Sequence, residues 1–213
     1  MDLTQIWPPF GFQITAANAA HDIVLRTMRD EDIAALAGAS ATDIFGPQVP
    51  SYAFPWLAGS PSDTAAFRWS QRLHFHPHHW ELPLVIALNG EPIGTVDIRA
   101  DDFSSTRTVN TGSWIYYAQQ GQGLGTLVRH AIAVAAFEHF QAVKLISQFY
   151  TDNTRSAAVS AKLGYTVLPD ISRDDIGTLA TAELCKADYT CPQDVTVTVS
   201  GLSDQLKQLM GVA

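Results

Sequence analysis

Three glycines stand on alternate positions, Gly121, Gly123 and Gly125, in "QGQGLGT" (120–126). A strand-like run, "WIYY", ends just before them, and a helix-like pattern starts with them. Glycine admits positive φ and lets a ligand approach the backbone closely. The free N–H groups at a helix start, together with its dipole, favour an anion. The stretch therefore predicts a cradle for a pyrophosphate, built from backbone amides; a flexible connection ahead of a capped helix is the competing reading. A second polar pair follows in "DNTRS", where Asn153 and Ser156 stand three apart at a helix start. Asp97, in "GTVDIRA", is a carboxylate on a strand, able to serve as a general base or to face solvent. His74, His76, His78 and His79 crowd into "HFHPHHWE". Imidazole suits zinc, but metal sites draw ligands from converging elements. Pro77 breaks this segment and no cysteine is near, so it reads as a histidine-rich helix end and loop, with no metal expected. One of these histidines could still line a substrate pocket as a base.

These residues need a frame. "HDIVLRTM" (21–28) predicts a first strand, and "RDEDIAALAG" a short helix with its acids at the favourable end of the dipole. Residues 40–60, rich in Pro, Gly, Ser and aromatics, predict a long loop carrying Phe54 and Trp56. "PSDTAAFRWSQRLHFH" predicts a helix capped by Ser62 or Asp63. "LPLVIAL" and "PIGTVDIRA" flank Asn89-Gly90, a strong hairpin signal because both residues tolerate positive φ. "STRTVNTGSWIYY" continues an antiparallel meander. In "LGTLVRHAIAVAAFEHF", Leu124, Leu127, Val128, Ala131, Ile132 and Ala135 form one apolar helical face. "VKLISQFY" is a strand. "DNTRSAAVSAKLG" is a helix that Gly164 stops, and "YTVLP" is a strand. A polar loop, "DISRDDIGTLA", leads to the strand "TAELCKADY". The tail reads as one more strand and a short helix, "LSDQLKQLMG", that either covers a sheet edge or meets a second subunit in a homodimer. Meander first and strand-helix-strand units later imply an α/β fold with a mixed, mostly antiparallel sheet and helices on both faces.

Composition narrows the function. A chain of 213 residues suits one domain, 1–213, with one sizeable core. The formal charge of −8 with scattered acids disfavours a nucleic-acid surface, which needs clustered Lys and Arg. No basic leader and no membrane-length apolar run is seen, so a cytoplasmic protein without membrane association is expected. Cys185 and Cys191 are read as reduced thiols, because extended geometry between them would hold them apart. Trp80 is expected to pack under the sheet.

The cradle's ligand can be narrowed too. A dinucleotide fingerprint, G-x-G-x-x-G, would need glycine where Thr126 stands, and it belongs on a parallel strand early in a chain. A phosphate loop of the Walker type lacks its Gly-Lys-Ser/Thr here.

Q-x-x-G-x-G between a meander strand and a helix resembles the acetyl-CoA motif of the GNAT N-acetyltransferase superfamily. "DNTRSAAVSAKLGY" resembles that superfamily's second signature, in the Asn-x-x-Ser form of its RimJ/RimL branch. "LRTMRDEDIAAL" and "TGSWIYYAQQGQGLGT" are similar to members of that kind. The resemblance covers about residues 22–190.

The resemblance implies a GNAT fold whose cofactor lies where two neighbouring strands splay apart, with acetyl-CoA as co-substrate and an amine as acceptor, a protein N-terminus or a small molecule. It puts the pyrophosphate on the amides of Gln122, Gly123, Leu124, Gly125 and Thr126, within a motif that Gln120 and Gly121 open. The pantetheine would lie along Ile115, Tyr116 and Tyr117, with Asn153 beside it. A backbone N–H at Tyr116 or nearby would serve the oxyanion, and Ser156 would stand near the sulfur. Phe54 and Trp56 would shape the acceptor pocket. Many members carry a Tyr where this chain has Ser160, and some place a Glu on the strand "STRTVNTGSWIYY", which holds no carboxylate. These departures leave a CoA-binding module without transferase activity as the alternative; a dinucleotide-dependent oxidoreductase is a third reading.

Overall fold

The computed structural model describes residues 1–212. In chain order its helices and strands are α1 (Leu3–Ile6), β1 (Gln13–Ala17), β2 (Asp22–Thr27), α2 (Asp30–Leu36), α3 (Ala41–Phe45), α4 (Pro61–Leu73), β3 (His79–Leu88), β4 (Glu91–Asp101), α5 (Phe103–Thr106), β5 (Thr108–Ile115), α6 (Leu124–Val134), β6 (Lys144–Tyr150), α7 (Thr154–Leu163), β7 (Thr166–Arg173), β8 (Thr178–Cys185), β9 (Thr196–Ser200) and α8 (Asp204–Met210). The strands form one sheet in the order β7-β8-β6-β5-β4-β3-β2-β1-β9. Only the β5–β6 pair is parallel. The α/β class, the mixed and mostly antiparallel sheet and the meander are as the sequence predicts.

Each face of the sheet has its own core. On one face Leu124, Leu127, Val128, Ala131 and Ile132 of α6 pack with Leu84, Ile86, Val96, Ile98 and Leu145, and Leu206 and Met210 of α8 complete that layer. On the other, Ile33 and Leu36 of α2 close over Met28 and Val85, with Trp114 and Tyr116 against them. Trp80 is fully buried and donates its Nε1–H to Met210 O (2.8 Å), so α8 covers the sheet.

The structure departs from the expected elements at several places. β1 precedes the strand expected to be first; its alternating burial makes it a strand, but it is only five residues long. The region 40–60 contains α3, whose Ser40 and Asp43 form a capping box. Residues 170–180 are not a loop: β7 runs on to Arg173 and β8 begins at Thr178. The turn between them is held by Asp174 Oδ1, which accepts from the amides of Ile176 and Gly177 (both 2.9 Å). β7 is almost wholly exposed on both faces, so no apolar alternation marks it. α6 ends in a π-helical turn, Ala135–His139, where Lys186 Nζ donates to Phe137 O (2.6 Å). Cys185 ends β8, and Cys191 lies beyond the short 3₁₀ turn Lys186–Asp188; both are free thiols. No helix of the described residues is long and apolar enough to cross a membrane.

The feature that positions the site is a fork. β5 pairs with β6 only from Thr108↔Lys144 to Thr111↔Ser147. Beyond Thr111, β5 stays on β4 as far as Gly94↔Ile115. Beyond Ser147, β6 stays on β8 as far as Tyr150↔Leu179. The two strands therefore leave inner edges without a ladder partner.

Candidate active site

The glycine stretch folds as its spacing predicts. Gly121 (φ 77°) and Gly123 (φ 86°) take the left-handed backbone that glycine permits. Gly123 is the N-cap of α6, and no side chain caps that helix. Its first-turn amides have no intrahelical partner. A Cβ at either glycine would meet nothing within 4 Å, so the loop offers open backbone. Residues Gln122 to Thr126 thus fit a diphosphate. His21 reaches the same loop from the β1–β2 connection, its Nε2 lying 2.9 Å from Gln122 O.

The loop is latched from behind. Gln120 Nε2 donates to Ile44 O (2.8 Å) and Ile115 O (2.7 Å), and its Oε1 accepts from Arg155 Nη1 (2.6 Å). The Arg155 guanidinium also lies over the Tyr117 ring at 5.2 Å. The Gln120 side chain is spent on protein partners that hold the turn between β5 and α6.

The fork opens into a cavity of about 620 Å³, which α6 reaches through Arg129; Ile115, Tyr117 and Gln120 to Thr126 do not line it. One wall is Gly112, Ser113 and Trp114 of β5; another is Gln148, Phe149 and Tyr150 of β6, with Asn153 and Ser156 of the following turn and helix. Extended backbone facing such a gap has hydrogen-bonding groups to offer a ligand with amides. The outer part is aromatic: Phe54 and Trp56 stack at 5.9 Å, Trp56 meets Trp114 at 6.1 Å, and Tyr52 stacks on Tyr150 at 6.0 Å. Gly94 lets β5 come close here. A Cβ on it would run into the Trp114 carbonyl oxygen and stand 2.8 Å from Ile115 Cα.

Phe54, Trp56, Asp97, Asn153 and Ser156 all line this one cavity. Asn153 caps α7, its Oδ1 accepting from the Ser156 amide (3.1 Å). Asp97 is engaged: its Oδ1 accepts from Arg68 Nη1 at 2.6 Å. Tyr116 is not in the cavity wall, and its amide already donates to Ile93 O (2.8 Å). Its hydroxyl is pushed above the ordinary tyrosine range by burial and then by the Asp43 charge. Tyr117 points outward, 40% exposed. Ser160, where many members carry Tyr, is buried on α7 with an unpartnered hydroxyl, outside the cavity. The histidine cluster is spent at the surface: His78 and His79 each pair with an acid, Asp102 (2.7 Å) and Asp101 (2.6 Å).

Sequence reasoning missed Trp114, Tyr52, Tyr150, Arg68 and Arg129, all in the cavity wall. For Arg129 a signal existed, a charge set between the apolar positions of α6. For the aromatics there was none, because they come from three separate segments.

Residues 22–166 match the family model described as "Acetyltransferase (GNAT) domain", which is more than half of the chain. Similar solved structures share the fold. Mycobacterium smegmatis RimJ in complex with CoA-disulfide is 20% identical, covers 88% of this chain and 91% of its own, and has a TM-score of 0.69. RimL, a ribosomal alpha-N-protein acetyltransferase in complex with coenzyme A, is 13% identical, covers 80% and 97%, and scores 0.64. Spermidine N-acetyltransferase from Vibrio cholerae, in complex with CoA and spermine, is 12% identical, covers 78% and 97%, and scores 0.61. With a forked sheet, an uncapped glycine helix start and a matched family model, this chain belongs to the GNAT acetyltransferases, acyl-CoA-dependent enzymes that use acetyl-CoA as co-substrate.

Proposed function

We propose that the protein transfers an acetyl group from acetyl-CoA to a primary amine carried on an apolar group, of which a protein N-terminus with an apolar first residue is one example. One observation carries this: the fork and the aromatic wall belong to a single cavity. The donor's arm is assigned to the fork, and the acceptor to the side of Phe54, Trp56 and Phe67. A polyamine would call for several unpaired acids. This wall offers two carboxylates, Asp63 and Asp97, and Asp97 is paired with Arg68.

The amides of Gln122 to Thr126 hold the diphosphate. The Tyr116 amide is committed to Ile93 O, and strand alternation turns the amides of Ser113 and Ile115 to the opposite edge, into the fork. Ser113 lines the cavity, and its amide takes the oxyanion role that the resemblance gave to the neighbourhood of Tyr116. Asn153 holds the start of α7 so that the Ser156 hydroxyl faces the cavity as the proton donor to the departing sulfur. Asp97, through its bond to Arg68, fixes α4 against β4 and keeps that wall in place. Holding amine and thioester in line supplies much of the rate.

A panel of amines tests the acceptor class. Thiol release is followed with acetyl-CoA and peptides with apolar N-termini, peptides with acidic N-termini, or spermine. Apolar N-termini should be fastest. Preference for spermine would overturn the acceptor class. Stabilisation by CoA in a thermal shift with no thiol release from any amine would favour a binding module instead.

A further inference from the structure

Arg129 is a buried cation with no acid paired to it among the described residues. Only 6% of it is exposed, yet it contributes to the wall of the forked cavity. Its Nη1 donates to Thr111 Oγ1 (2.6 Å) and its Nη2 to Ser147 Oγ (2.9 Å). Thr111 and Ser147 are the last residues that join β5 to β6, so the guanidinium bridges the two strands at the point where they part. Both partners are neutral hydroxyls. Tyr165 lies under the guanidinium, 6.0 Å from ring centre to Cζ. Burial pushes the Tyr165 hydroxyl above its ordinary range, although Arg129 pulls the other way, so it stays a neutral phenol. Among the described residues no carboxylate pairs with Arg129, whereas Arg68, the other buried arginine in the same wall, has Asp97.

A buried charge is costly unless something neutralises it, and guanidinium matches carboxylate geometry. The missing anion must reach the closed end of the fork on a slim arm. On the reading above, the only arm that ends there is the acyl end of the thioester; the amine enters from the aromatic side. An acetyl methyl gives a guanidinium nothing to bind.

We propose that Arg129 is a receptor for a carboxylate on the donor's acyl group, so that the fork takes a dicarboxylic acyl-CoA in addition to acetyl-CoA and holds it more tightly. The transfer is otherwise unchanged: the amine nitrogen forms the new bond to the acyl carbon, the carbon–sulfur bond breaks, and the proton lost by the amine balances the one gained by the CoA thiolate. The inference rests on the acyltransferase reading, and the experiment separates the two.

Dissociation constants of the full chain are measured by isothermal titration with CoA, acetyl-CoA and succinyl-CoA. Succinyl-CoA should bind at least tenfold more tightly than acetyl-CoA. In Arg129→Gln the ratio of the two constants should fall to near one, and Arg129→Lys should keep part of it. Equal affinities, or a preference for acetyl-CoA, in the unaltered protein would overturn the inference and leave the acyltransferase reading standing. If CoA itself does not bind, the reading falls and takes the inference with it. If the donors are indistinguishable but a free amino acid binds less well to Arg129→Gln, the carboxylate belongs to the acceptor and the donor assignment is wrong.

Discussion

At the scale of single residues, two glycines carry different kinds of information. Gly123 is free of neighbours and holds positive φ at the start of α6. Gly123→Asp should therefore leave the chain folded, at a cost of about 1 kcal/mol for the left-handed backbone, while its charge repels the diphosphate. CoA affinity should fall by more than tenfold in a titration that circular dichroism shows to be of folded protein. Gly94 has the opposite setting, with the β5 backbone pressed against it. Gly94→Ala must push β5 away, so stability should drop by about 1–3 kcal/mol in urea unfolding, with Trp114 displaced and its fluorescence altered. Ser156→Ala tests the proton donor: turnover should slow while the acetyl-CoA dissociation constant stays nearly constant. An unchanged rate would remove Ser156 from the mechanism. Both glycines are visible in the sequence, but only Gly123 announces its role there. Its spacing with Gly121 and Gly125 is local, whereas the reason for Gly94 is a strand that follows about twenty residues later.

At the scale of elements, the fork is a consequence of pairing that stops early. β5 and β6 share four residue pairs and then follow different partners, β4 and β8. α7 starts one turn beyond the end of β6, and Asn153 fixes that start. Asn153→Ala removes the cap and should cost about 1 kcal/mol of stability. Because the same turn lines the cavity, acetyl-CoA affinity should fall as well; a stability loss with no change in affinity would mean that the cap is only structural. The long helices and the meander are legible because apolar periodicity and Asn89-Gly90 mark them locally. β7 is legible only in its first residues. A strand wet on both faces has no alternation to read.

At the scale of the whole molecule, distant segments close the core, and one buried histidine records its state of protonation. Leu206 of α8 is fully buried beneath the sheet. Leu206→Ala should destabilise the protein by about 2–5 kcal/mol by urea unfolding, although it lies in the tail beyond the resemblance. His130, on α6, is held below the ordinary histidine value by burial, with Asp194 pulling the other way. A lowered value means that the unfolded chain takes a proton the folded chain refuses. Stability should therefore decline as pH drops through the ordinary value of 6.5 and be unaffected by His130 well above it. A series of Tm values across that range should show a steeper acid decline for the native chain than for His130→Gln; parallel curves would assign the decline to other groups.

The sequence by itself determined the fold class, the order of most elements, the glycine turn ahead of α6 and the position of α7, because each of these is written in short-range spacing, capping and turn residues. It also carried the family likeness through two signatures. Only the tertiary structure decided where β5 leaves β6, which aromatics meet across the cavity, that Asp97 is already paired with Arg68, and that Arg129 has no acid partner among the described residues. Those facts depend on which distant residues come within a few ångströms of one another, and neither a pattern of charge nor a periodicity along one segment encodes that.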